Sequence, residues 1–357
     1  MTRVDVLVIG LGPGGSSAAA AAAAAGCSVL AVDRRHEIGV PVQCAEFIPL
    51  PLASHARAPG VLLQRVTGMT SVLPSGAVTR SPFPGLMIDR ARFDQALAAA
   101  AAVAGARLIT ESLLRELDAT AQRARIDTPD GMLEVEYGVL VAADGPHSTV
   151  AALLGLPRLA TVNTRQYTVP LARSYEDTDI WLSDEYPGGY AWLFPKGRLA
   201  NLGLGMDAHV DSDMKSPLDR LHRQLVDEGR VGADIVCRTG GAIPVGGLRE
   251  RLAVGRALFV GDAAGLTHPI TGAGIAAAVQ SGERAGAAAA AWTGGETGAL
   301  AEYDADIREQ YGPSLARAVR RRGDLMRLWR TPAAREDAAH RRGWIAFPEY
   351  FADGVAA

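Results

Sequence analysis

Gly10, Gly12 and Gly15 fall at the spacing G-x-G-x-x-G, and each has its own task around a pyrophosphate. The first permits a tight turn, the second lets phosphate approach the backbone, and the third lets a helix close on a strand. Unpaired N–H groups at that helix's N-terminus then face the negative charge. About twenty residues on, Asp33 can offer its carboxylate to a ribose hydroxyl. By itself this motif leaves FAD and NAD equally open. A second acid, Asp262, precedes Gly272-Ala273-Gly274, where another helix start would present free N–H groups. The bland reading makes Asp262 a helix cap and the glycines a plain turn. In YPGGYAWLFP, Tyr190, Trp192 and Phe194 alternate with Ala191 and Leu193. On a strand the three rings share one face, as an apolar wall for a ligand or as ordinary core packing.

These residues need particular elements to hold them. Val4–Ile9 is a β-branched run that reads as a buried strand, and the alanines at 18–25 read as a close-packed helix. Ser28–Val32 forms a second strand ending at Asp33. Ala257–Val260 delivers Asp262 at a strand's C-terminal end, where ligands bind in open α/β sheets. The 357 residues are 48% hydrophobic with a net charge of −3. That suits a large α/β core and gives no reason to expect nucleic acid as a partner. Cys27, Cys44 and Cys237 lie far apart with no C-x-x-C pair, which argues against disulfides and a cysteine-bound metal and fits a reducing cytoplasm. Asp5 interrupts the first apolar run, so it does not read as a signal peptide. No stretch of ~20 strongly apolar residues is present to span a bilayer.

The later motifs resemble the FAD-dependent oxidoreductases of the p-hydroxybenzoate hydroxylase type. MIDRARFDQALAA, residues 87–99, is similar to that family's Asp-Arg-x-x-Phe-Asp helix start, which implies that Arg90 lies near FAD. LVAADGPHSTV, residues 140–150, resembles the Asp-Gly motif and implies that Asp144 and Gly145 approach the diphosphate. LFVGDAAGLTHPITGAGI, residues 258–275, is similar to the second FAD motif and implies that Asp262 holds the ribityl chain. Within that group, PGGYAWLFP matches P-x-x-Y-x-W-x-F-P of the geranylgeranyl reductase family, and GVPVQCAEFIP, residues 39–49, resembles its cysteine loop beside the flavin. The cofactor set implied is Gly10, Gly12, Gly15, Ser16, Asp33, Arg34, Cys44, Ala45, Arg90, Asp144, Gly145, Asp262, Gly272, Gly274 and Ile275, with Tyr190, Trp192 and Phe194 lining the substrate.

The resemblance implies reduction of isoprenoid double bonds, with hydride from the flavin and a proton from Cys44, Glu46 or water. Cys44 is otherwise an inert small hydrophobe, and Glu46 a solvated loop carboxylate. NADPH, ferredoxin or a quinol would reload FAD. Two rivals stand beside this reading: a monooxygenase that hydroxylates an aromatic substrate, even a side chain of a partner protein, and a non-catalytic or electron-transfer flavoprotein. The chain departs from the family in Cys44-Ala45-Glu46, where glycine usually follows the cysteine, and in a shorter segment after the last motif.

The expected fold is α/β. A Rossmann-like FAD domain occupies residues 1–78, 86–155 and 248–330, interleaved with a strand-rich α+β substrate domain at 156–247 and followed by a tail at 331–357. LARAVRRRGDLMRLWR, residues 315–330, reads as a basic amphipathic helix. It suits a solvated helix packed on the FAD domain, a peripheral contact with anionic membrane, or a docking face for an acidic partner.

Overall fold

The N-terminal β-branched run forms strand Thr2–Ile9, at the centre of a largely parallel sheet. A computed structural model describes residues 1–207, 209–210 and 213–352. Across the sheet the order is Ala253–Val254, Ala257–Phe259, Gly131–Ala142, Thr2–Ile9, Val29–Val32 and Arg107–Ile109. All neighbours from Ala257–Phe259 to Arg107–Ile109 are parallel, so their C-terminal ends open on one side. Every residue of VLAV at 29–32 is buried, as expected for a strand covered on both faces.

Alanine and glycine explain the helix layer. Helix Pro13–Ala24 lies against Ile275–Thr293. A Cβ on Gly282 would sit 2.1 Å from the Gly14 carbonyl oxygen, and one on Gly286 2.4 Å from that of Ala18. The two backbones therefore meet nearly directly, and dispersion across that short gap compensates for small side chains.

The second sheet has nine strands, in the order Cys237–Thr239, Thr161–Pro170, Leu199–Met206, Tyr190–Lys196, Asp177–Trp181, Leu62–Val72, Val78–Ile88 and Phe47–Pro49, with Ala242–Pro244 also on Thr161–Pro170. It is antiparallel except where Asp177–Trp181 meets Leu62–Val72. Three of its strands thus come from residues 47–88, which the division drawn from sequence gives mainly to the FAD domain. Leu62–Val72 and Val78–Ile88 pair with each other as a hairpin, but the strand that ties them into this sheet, Asp177–Trp181, joins Leu62–Val72 from over a hundred residues away, so no local pattern assigns them to it. Helix Lys215–Asp227 covers one face, packing Leu218, Leu221 and Leu225 against Ala191 and Leu193. The opposite face carries Trp192 and Phe194.

Residues 315–328 of the basic segment belong to one helix, Ala299–Leu328, which continues through Pro313 and is capped by Trp329, leaving Arg330 beyond its end. Several of its arginines are spent within the chain. Arg322 pairs with Asp207 at 3.0 Å, and Arg321 Nε donates to the Tyr350 carbonyl at 3.0 Å. The chain then folds back through Asp337–Gly343, burying Trp344, Phe347 and Tyr350. Of the tail at 331–357, residues 353–357 lie outside the described residues.

Candidate active site between the two sheets

The glycine turn joins strand Thr2–Ile9 to helix Pro13–Ala24. Gly10 has φ +100°, which favours glycine. A Cβ on Gly15 would fall 1.8 Å from the Gly10 carbonyl oxygen, whereas one on Gly12 would meet nothing within 4 Å. Gly15 is thus required by the protein's own packing, while Gly12 borders open space at the helix N-terminus. Asp33 Oδ2 accepts from Leu11 N at 2.8 Å, and Oδ1 from Arg35 N at 2.8 Å. These bonds hold the carboxylate beside the turn with lone pairs to spare. Ser16 is fully buried, and its hydroxyl donates to the Leu11 carbonyl at 3.1 Å, so it stiffens the turn. Arg34 is exposed next to Asp33.

Asp144 Oδ2 accepts from Val150 N at 3.0 Å, whereas its buried Oδ1 has no hydrogen-bond partner. Desolvation pushes this carboxyl above its ordinary range. A Cβ on neighbouring Gly145 would again meet nothing within 4 Å. Asp262 lies in the short helix Gly261–Ala264, with Oδ1 accepting from Thr267 Oγ1. Burial raises its pKa as well. It does not cap helix Ile275–Thr293, whose N-cap is Gly274 without any side-chain bond. A Cβ on Gly274 would come 2.7 Å from Thr267 Oγ1 and 3.2 Å from Asp262 Oδ1, so only glycine lets the acid sit against the helix end. Gly272 has φ +68°, and its absent Cβ would be 4.0 Å from the Tyr190 hydroxyl. Ile275, at the head of the helix, packs on the cluster around Ile48 and Phe93.

The cysteine loop is clamped to the second sheet. Thr239 Oγ1 donates to the Val42 carbonyl at 2.8 Å, Gln166 Nε2 to that of Cys44 at 3.0 Å, and Asn201 Nδ2 to that of Ala45 at 3.2 Å. Cys44 is half-buried. Burial pushes its thiol up, and the Arg90 charge beside it pulls the other way. Arg90 itself is held by Asp94 through Nε at 2.8 Å and Nη2 at 2.9 Å.

Glu46 differs from the reading as a solvated loop carboxylate, being only 2% exposed. It forms an ion pair with Lys196, accepts from Asn201 Nδ2 at 2.7 Å, and accepts from Arg90 N at 3.0 Å. With both oxygens engaged, it anchors the loop and is not presented as a free acid. Its φ of +70° is unfavourable for a side chain with a Cβ, and these bonds hold it there.

The three rings do share a face. Tyr190 and Trp192 lie 5.6 Å apart, and Phe47 meets Phe194 at 6.2 Å. Tyr190 Oη donates to the Thr271 carbonyl at 2.5 Å, which joins the ring wall to the turn before helix Ile275–Thr293. The tail adds residues that sequence reasoning missed: Trp344 stands 4.8 Å from Tyr190, edge to face, and Phe347 joins the same cluster. The cluster of aromatics at residues 344–351 was the available signal. His268 is a further omission. Its Nδ1 accepts from Thr271 N at 3.3 Å and Nε2 lies 3.5 Å from the Tyr350 hydroxyl.

Open space at Gly12 and Gly145, the unpartnered Asp144 oxygen, and two helix N-termini without side-chain caps fit a dinucleotide with a diphosphate and a polyol chain. A family model described as "Geranylgeranyl reductase catalytic domain" matches residues 161–242. The digeranylgeranylglycerophospholipid reductase of Methanothrix thermoacetophila is 34% identical over 351 residues, spanning 91% of this chain and 88% of that protein. The chain belongs to the geranylgeranyl reductase family of FAD-dependent oxidoreductases. A geranylgeranyl bacteriochlorophyll reductase-like protein from Thermoplasma acidophilum superposes with a TM-score of 0.85 at 28% identity, over 96% of this chain and 92% of its own. The p-nitrophenol 4-monooxygenase of Pseudomonas putida shares the fold at 17% identity, with a TM-score of 0.72 over 97% of this chain and 95% of its own. For this family member, the reductase reading therefore prevails over the monooxygenase one.

Proposed function

We propose that the chain reduces carbon–carbon double bonds of an isoprenoid lipid, of the class named for its Methanothrix relative. The observation that carries this reading is the Tyr190–Thr271 bond. It fixes an apolar ring wall beside the glycine turn of the second FAD motif. When bound there, FAD supplies the hydride chemistry. The chain supplies placement. Tyr190, Trp192 and Phe194 lay isoprene units against ring faces and keep water away. The free N–H groups at the head of helix Ile275–Thr293 favour negative charge on a neighbouring ring. Cys44, kept neutral by burial, retains the proton that a reduced double bond requires. Glu46 and Lys196 hold the loop that carries it.

Electrons come from an external donor, with NADPH, ferredoxin and a quinol as the candidates. Among the described residues no helix is long and apolar enough to cross a membrane. Exposed Arg320, Arg327 and Arg330, with Phe351, offer a face for contact with anionic lipid. Salt-sensitive flotation with anionic vesicles tests that contact, and failure to float refutes it.

For the reaction itself, FAD-loaded protein is incubated with dithionite and digeranylgeranylglycerophospholipid under anaerobic conditions. Mass spectrometry should find lipid that has gained hydrogen pairs. Unchanged lipid beside fully reduced protein would refute the reading.

A further inference from the structure

Gln166 lies within strand Thr161–Pro170 and is 4% exposed. Both ends of its amide are in use: Nε2 donates to the Cys44 carbonyl at 3.0 Å, and Oε1 accepts from Trp192 Nε1 at 3.1 Å. The partners dictate this orientation, because an indole nitrogen can only donate and a carbonyl can only accept. A flipped amide would satisfy neither.

The cysteine loop has no ladder of its own at these positions. It is held carbonyl by carbonyl, with Val42, Ala45 and Glu46 taking Thr239 Oγ1, Asn201 Nδ2 and Ile88 N. The anchor on Cys44 differs from those three in ending on a ring of the wall. We propose that Gln166 is a positioning residue that sets Cys44 against the Trp192 face, so that a displacement of the ring is transmitted to the thiol loop. Removing either partner leaves a buried polar group unpaired, which costs more than the bond itself contributes. The link therefore acts as one unit. The inference rests on the proposed function only in taking the ring face as the substrate side.

Its test needs no substrate. Full-length, FAD-loaded protein is treated with iodoacetamide, and peptide mapping follows each cysteine separately. Cys27, remote from the loop, serves as the internal reference. Gln166→Leu and Trp192→Phe should each speed Cys44 alkylation about tenfold, as the loss of one buried polar link allows. The double variant should react no faster than either single one, and Cys27 should hold its rate. Cys44 rates within about twofold of wild type would overturn the proposal, since a buried link of this kind is worth more. So would a rise in only one single variant, additive effects, or an equal rise at Cys27. If Gln166→Leu does not fold, Trp192→Phe breaks the same link while keeping a ring, and an unchanged Cys44 rate then overturns the proposal alone. Because no turnover is read, failure here stays separate from failure of the reductase reading.

Discussion

Tyr190 Oη lies 2.5 Å from the Thr271 carbonyl oxygen, so the ring wall of one sheet and the glycine turn of the other form one connected surface. Tyr190 is also held between Trp192 and Trp344, at 5.6 and 4.8 Å. The hydroxyl end fixes distance to the turn, and the ring faces fix tilt. The ring wall and the glycine turn are thereby set against each other through one side chain.

Tyr190→Phe keeps the ring and removes that link. Unfolding in urea should show a loss of about 1–2 kcal/mol, since the Thr271 carbonyl loses its donor. Turnover should fall about tenfold as the wall drifts from the turn, a misplacement effect of the kind that costs rate. Wild-type stability and rate together would contradict this role.

Gly12 and Gly15 separate packing from cofactor binding. At Gly12 the backbone φ is −74° and an added Cβ meets only open space, so Gly12→Ala should melt like the wild-type apoprotein. It should nevertheless retain FAD at least about tenfold more weakly, because the pyrophosphate needs that space. Gly15→Ala drives a Cβ into the Gly10 carbonyl and should destabilise the apoprotein itself, by about 1–3 kcal/mol for an overpacked contact. Differential scanning fluorimetry with and without FAD reads both. Equal behaviour of the two variants would contradict the assignment.

What the sequence discloses about this site is its short-range part. The tight glycine turn, the acid closing the second strand and the period-two rings each depend on neighbours a few residues away, and each has its own backbone reason. The Glu46–Lys196 pair spans 150 positions, and the Gln166 link to Cys44 spans 122. Nothing near Glu46 distinguishes a buried anchor from a solvated acid. Strands 62–72 and 78–88 pair locally as a hairpin, yet the sheet they join is decided by Asp177–Trp181, about which their own residues carry no signal. The tail aromatics were visible as residues but not as neighbours of Tyr190.

The Lys196–Glu46 pair predicts an asymmetric mutational response. Their side chains are 16% and 3% exposed, so Lys196→Met leaves a buried carboxylate without its cation. The expected loss is about 3–5 kcal/mol by denaturant unfolding. Adding Glu46→Gln to that variant should recover part of the loss, since no uncompensated charge then remains. A double variant less stable than Lys196→Met would contradict the reading of Glu46 as a charged anchor.

His268 gives the pH dependence. Burial pushes it down to about 4 from an ordinary value of 6.5, so the native ring is neutral and its Nδ1 accepts from backbone N–H groups. The unfolded chain takes up the proton first. This contribution is complete above about pH 6.5 and is lost as pH falls toward about 4, to a limit of about 3 kcal/mol. His268→Gln, measured beside wild type in urea at several pH values, should lack that part of the acid loss. Parallel stability curves for the two proteins would contradict a neutral buried His268.

The most direct test of the central claim follows the flavin itself. Protein reduced without oxygen is mixed rapidly with a geranylgeranyl lipid, still without oxygen, while the oxidised flavin absorbance is recorded. The yellow colour should return in step with lipid saturation, and more slowly in Tyr190→Phe. A flavin that stays bleached with lipid present, and recovers only when oxygen is admitted, would contradict the claim.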